Sequence, residues 1–163
     1  NVSFGVFAAR ALEEGLVDGF WANAMGAETA VQRGVGKVLV DVRRGDDPAE
    51  ARRFTFAGLA TTEGLIERDP DCIAAAVRAI VKAQKALRAE PARAAEVGRR
   101  LFPPEAAALI ATVVERDVPF YDPVISEEAV AGLNRFTQAI GHLPAPVPYE
   151  QVVAVRFRDL WQS

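Results

Sequence analysis

Residues 11–41, ALEEGLVDGFWANAMGAETAVQRGVGKVLVD, decide how the chain is read. An alanine-rich helix runs into Gly15, which is well placed to end it because glycine adopts the left-handed backbone at little cost. Residues 17–22 then read as a short continuous apolar run after an acidic turn. That fits a buried parallel strand, although so short a run is not decided by periodicity. A second helix is predicted over 25–33 and a strand over 37–42, KVLVDV, between the glycines at 34 and 36 and the loop composition RRGDDP. Alternating strands and helices predict a parallel sheet with crossover helices.

On the N-terminal side, residues 2–7, VSFGVF, read as a strand and 8–14 as a helix. Downstream, residues 53–60, RFTFAGLA, alternate Phe54 and Phe56 with polar or small neighbours and read as the last strand. Everything beyond reads as helical. Asp69 and Pro70 begin a helix as N-cap and first-turn proline. Ile73, Val77, Ile80, Val81 and Leu87 give it one buried face. Lys82, Lys85 and Arg88 suit its C-terminal end. Glu90-Pro91 interrupts it, since the residue before proline is pushed out of the α region. Further helices are predicted over 91–101 and 104–116, from a Ser126 cap to 140 with Gly141 as the stop, and over 149–161. They share no repeat period.

With 50% hydrophobic and 25% charged residues in 163, the chain has the material for a core and nothing of low complexity. A net charge of −3 argues against a nucleic-acid partner. No apolar run approaches the ~18 residues a membrane-spanning helix needs. Cys72 is the single cysteine, so an internal disulfide is impossible and no zinc spacing exists. On the first turn of an alanine-rich helix it reads as a small buried residue.

The chemistry-bearing residues are sparse. His142, the single histidine, follows the helix-stopping Gly141, and its sequence neighbours supply neither nucleophile nor orienting acid. The adjacent carboxylates Glu13-Glu14, Asp46-Asp47 and Glu127-Glu128 lie at helix ends or in loops and read as solvated charge rather than an acid/base pair. Gly34-Val35-Gly36 lacks the rest of a phosphate-cradling loop. Arg43-Arg44 either binds an anion or is solvated. Trp21 and Asn23 are the leading candidates for ligand contact, because an aromatic beside an amide at a strand end is where open α/β sheets place ligands. Trp21 offers a flat face for an apolar or cationic group, and Asn23 both a donor and an acceptor. The alternative is a core Trp21 and an Asn23 that caps the next helix.

Three stretches together resemble a known family: residues 11–41, with the Gly15-x-x-Asp18 step and the turn 21–26; residues 56–103, with Thr61-Thr62, Asp69-Pro70 and Glu90-Pro91; and residues 119–143, PFYDPVISEEAVAGLNRFTQAIGHL. In order and spacing they are similar to the substrate-binding proteins of ABC importers, in the nitrate/sulfonate/taurine and thiamine-pyrimidine-precursor group. The resemblance implies an α/β chain, the C-terminal portion of a type II periplasmic-binding-protein fold, with a short, mostly parallel sheet followed by a helical C-terminal segment. It implies an α/β portion of a lobe over 1–60 carrying the cleft-lining turn, helices over 61–163 packing on it, and an N-terminal lobe outside this chain, since 163 residues is one domain's length.

The function so implied is capture of a small organic molecule, such as a sulfonate, nitrate, taurine or a pyrimidine, without chemistry and without a cofactor. The resemblance also implies a periplasmic or other extracytoplasmic location and delivery to an ABC permease subunit, with peripheral or lipid-anchored membrane association carried by an N-terminus outside the chain. Alternatives are a thiamine-pyrimidine synthesis enzyme of the same fold and a ligand-sensing domain. By resemblance, the helix starting near Met25 points its N-terminus into the cleft, which suits an anion, whereas Glu28 one turn on suits a cationic amine. Thr61 and Thr62 are further candidate lining residues, or caps of the helix that follows.

Overall fold

A computed structural model describes residues 5–22, 24–46 and 58–162. Helix, α or 3-10, accounts for 66% of the described residues, and none of them lies in a strand, so the described chain is all-helical rather than α/β. Among the described residues, eight α-helices follow one another: α1 Val6–Glu13, α2 Ala24–Gln32, α3 Glu63–Arg68, α4 Pro70–Ala89, α5 Arg93–Leu101, α6 Pro104–Asp117, α7 Glu127–Ala139 and α8 Tyr149–Val152. Short 3-10 segments occupy Val42–Arg44, Val118–Phe120 and Val155–Gln162. None of these helices is long and apolar enough to cross a membrane.

The expected parallel sheet is therefore overturned strand by strand. Val6 and Phe7, placed in a first strand, begin α1 instead, while residues 2–4 lie outside the described set. Residues 17–22 form an irregular connection. Val17 is their one β-branched residue, and Asp18 and Gly19 interrupt the run, so it lacks the stiff side chains that favour a pleated surface. Residues 37–41 are likewise irregular and lead into the 3-10 turn Val42–Arg44. Of the last predicted strand, 53–57 fall outside the described residues and 58–60 are irregular. A parallel strand is stable when neighbours take up its backbone groups on both sides. With no neighbouring strand among the described residues, these segments have nothing to pair with.

Helix boundaries follow the local chemistry. Gly15, at φ 71°, closes α1: its N–H reaches the Leu12 carbonyl (3.1 Å) and that of Leu16 the Ala11 carbonyl (2.9 Å), the paired bonds of a Schellman motif. Gly141, at φ 77°, closes α7 in the same way, through its own N–H to Gln138 and that of His142 to Thr137. Asp69 caps α4, its Oδ1 accepting from the Cys72 N–H at 3.0 Å with Pro70 first in the helix. Cys72, expected to be buried, is exposed, because it sits on the outward side of that first turn. Ile73 and Val81, eight residues apart on α4, are buried, whereas Ile80 of the predicted face is 41% exposed. The single helix expected over 149–161 is the short α8 followed by a 3-10 segment.

Contacts group the chain into two compact units, Asn1–Val40 with Ala86–Phe120, and Asp41–Lys85 with Tyr121–Ser163. In the first, α1 packs on α2, α2 on α6 and α6 on α5. Its buried residues are mostly alanines, Ala8, Ala9, Ala11, Ala30, Ala94 and Ala107, with Leu109 and Val114 supplying bulk. Small side chains let these helices approach closely. A Cβ on Gly26 of α2 would lie 2.8 Å from the Gly5 carbonyl oxygen, so the chain entering α1 passes directly over that glycine. In the second unit α7 packs on α8 and the core comprises Ile73, Val81, Ala129, Val130, Val153 and Phe157.

Candidate ligand groove

In the first unit, Trp21 lies on the irregular segment before α2 and is 72% exposed. Asn23 is outside the described residues. Glu28, on α2, faces α6 and pairs with Arg116, whose guanidinium also binds Asp117 at 2.7 Å. The three side chains are 15%, 31% and 18% exposed. Glu28 is thus engaged in joining two helices, a long-range partnership that no local spacing announces. Thr29 beside it is buried and returns its hydroxyl to the Met25 carbonyl at 2.7 Å.

In the second unit, Thr62 is the N-cap of α3, its Oγ1 accepting from the Leu65 N–H at 3.3 Å, and Thr61 before it is exposed. The capping role of the threonine pair is therefore present in Thr62. Arg44 pairs with Asp46 at 2.8 Å in the turn after residue 40, where Asp46 also accepts the Asp41 N–H. That N–H, followed by the Arg44 hydrogen bond, holds the Asp46 carboxyl below the usual carboxylate range. His142 is exposed at the end of α7.

The second unit also contains a groove of about 320 Å3 that no sequence motif announced. One wall is the segment Val124, Ile125 and Ser126 leading into α7, with Glu127 at the helix start. Opposite are Tyr149 of α8 and the 3-10 residues Arg158, Trp161 and Gln162. Several of these polar groups are committed to structure. Ser126 caps α7, its Oγ accepting from the Ala129 N–H at 3.1 Å. The Tyr149 hydroxyl donates to the Ile125 carbonyl at 2.5 Å and ties the two walls together. Asn134 holds the proline-rich connection before α8 by donating from Nδ2 to the Val147 carbonyl (2.8 Å) and accepting the Val147 N–H at Oδ1 (3.0 Å). Lys85 reaches the Gln162 carbonyl at 3.1 Å and anchors the 3-10 segment to α4.

What remains for a ligand is the Arg158 guanidinium, 5.9 Å from the centre of the Tyr149 ring, the Glu127 carboxylate and the half-buried indole of Trp161. Arg158 presents donors in a planar fork suited to a carboxylate, sulfonate or nitrate. Glu127 suits an ammonium, and the indole and phenol rings supply flat apolar walls. No cluster of metal-ligating side chains occurs among the described residues. A sequence signal was available in retrospect: Tyr149, Arg158 and Trp161 fall within one short C-terminal stretch. Only the fold brings them to the start of α7.

No protein-family model matches the chain, and neither a curated protein nor a solved structure matches it.

Proposed function

We propose that the chain is part of the solute-binding component of an ABC-type importer, taking up a small organic acid or zwitterion without chemistry and passing it to a permease subunit outside the cytoplasm. The observation that carries this reading is the groove, where a cation, an anion and two aromatic faces surround about 320 Å3. That volume lies at the lower end of small-molecule sites, which run from about 300 Å3 upward. An aminosulfonate offers an anion suited to Arg158 and an ammonium suited to Glu127. The order and spacing of the sequence stretches quoted above support the same assignment.

The test is calorimetric titration of the protein with taurine, an alkanesulfonate, nitrate and an aminopyrimidine, with tryptophan fluorescence followed in parallel. A charge-assisted hydrogen bond contributes about 1.5–3 kcal/mol, so Arg158→Met is expected to weaken binding by roughly 10- to 100-fold. Glu127→Gln lowers affinity for taurine but not for the alkanesulfonate. Absence of binding by every compound, or affinity unchanged in Arg158→Met, refutes the groove as the site. Loss of binding in Trp21→Ala with Arg158→Met unaffected moves the site to the turn before α2.

A further inference from the structure

The groove of the second unit is unequally equipped for the two ends of a zwitterion. For the anion it holds the planar fork of Arg158. For the cation, several acceptors along the walls are already engaged. The Ile125 carbonyl accepts from the Tyr149 hydroxyl, the Gln162 carbonyl from Lys85, the Ser126 carbonyl from the Val130 N–H and the Ser126 hydroxyl oxygen from the Ala129 N–H. The Glu127 carboxylate, the Gln162 amide and the Trp161 indole are left, and none of these side chains has a hydrogen bond, ion pair or ring contact among the described residues.

Resting on the solute-binding reading of this groove, we propose that it selects a zwitterion whose cationic end is a quaternary ammonium, with the carboxylate or sulfonate on Arg158 and the alkylated nitrogen against the Trp161 ring. A primary ammonium is a compact, strongly hydrated charge with three N–H donors, and the side chains left for it offer one carboxylate and one amide oxygen. A quaternary ammonium has no donor to satisfy. Its methyl groups pack on a ring whose negative face attracts the charge.

The choice of ring follows from what each already does. Tyr149 has the Arg158 guanidinium 5.9 Å from its ring centre, so a second cation on that ring would meet like charge. Trp161 has no such neighbour, and indole is the strongest cation binder of the aromatic side chains. Arg158 and Trp161 are three residues apart on the 3-10 segment Val155–Gln162, where side chains at that spacing eclipse one turn, or about 6 Å, apart. The segment therefore presents an anion site and a cation site side by side. Glu127, across the groove, adds Coulomb attraction for the cation without requiring a hydrogen bond.

Calorimetric titration with matched compounds tests this: taurine against N,N,N-trimethyltaurine, glycine against N,N,N-trimethylglycine, and 3,3-dimethylbutane-1-sulfonate as the uncharged-carbon isostere of trimethyltaurine. Each trimethylammonium compound is expected to bind about tenfold more tightly than its primary amine, and trimethyltaurine about tenfold more tightly than the isostere. Trp161→Leu is expected to abolish both preferences and Trp161→Phe to retain part of them, with circular dichroism showing that each variant is folded. Equal affinity of amine and trimethylammonium, or equal affinity of trimethyltaurine and its isostere, overturns the quaternary preference and leaves the solute-binding reading standing. A preference that survives in Trp161→Leu overturns the assignment to that ring. Absence of binding by all five compounds overturns the proposal together with the reading it rests on.

Discussion

Arg116 on α6 is the point at which the first unit is most open to a measured perturbation. It faces Glu28 from α2 and its own neighbour Asp117, and the two carboxylates are only 15% and 18% exposed. Exposed ion pairs contribute about 0.2–1 kcal/mol, whereas removing one partner of a fully buried pair costs about 3–5 kcal/mol. These carboxylates lie between the two limits and nearer the buried one. Arg116→Met keeps the aliphatic stem but leaves both acids without the cation, so a loss of about 2–3 kcal/mol is expected. Glu28→Gln leaves Arg116 paired with Asp117 and is expected to cost about 1 kcal/mol.

Urea unfolding followed by circular dichroism reads both variants. With a slope of about 1–3 kcal/mol per molar, the arginine change moves the midpoint by roughly 1 M or more. The double variant completes a cycle whose coupling energy isolates the Glu28–Arg116 pair. An Arg116→Met midpoint within about 0.5 kcal/mol of the parent, the range of ordinary surface substitutions, would refute the structural role given to this cluster. Glu28 would then be free to act on a ligand, and titration of Glu28→Gln with an amine-bearing solute would show it.

Three further outcomes are expected. Gly26→Ala places a methyl 2.8 Å from the Gly5 carbonyl oxygen and should destabilise the unit by about 1–3 kcal/mol despite alanine's better helix propensity, and a midpoint at or above the parent's would show that the chain before α1 moves aside freely. The Gln84 side-chain oxygen is buried with no hydrogen-bond partner among the described residues, so Gln84→Leu should be neutral or stabilising in thermal unfolding, and a loss above about 1 kcal/mol would reveal a partner for it. Asp46 has its folded pKa lowered, so the order it confers on the turn is present above the pKa of the free carboxyl and is lost as pH falls through the folded value. Exchange protection of the Asp41 amide should fall in acid, and Asp46→Asn should show the same loss at neutral pH.

Much of the helical half of this chain was legible because the signals are local. Asp69-Pro70, Ser126 and Gly141 each act on backbone groups within a turn of themselves, and each does so here. The expected strands failed for the opposite reason. KVLVDV has the side chains of a strand, but a strand exists only when another takes up its backbone groups, and its own sequence says nothing of whether one is near. Trp21, Thr61 and Thr62 were legible as residue types rather than as neighbours, and Asn23 stands outside the described residues.

By itself, then, the sequence determined the helix starts at Asp69-Pro70 and Ser126 and the stops at Gly15 and Gly141, and that an internal disulfide is impossible. The tertiary structure alone decided that Glu28 meets Arg116 from 88 residues away, that Tyr149 ties its hydroxyl to Ile125, and that Arg158 and Trp161 face the start of α7 across a groove. Caps and turns draw on hydrogen bonds a few residues apart, which a short stretch of chain can complete. Grooves and ion pairs between helices require distant segments to be packed together first, and packing depends on all the apolar surface at once.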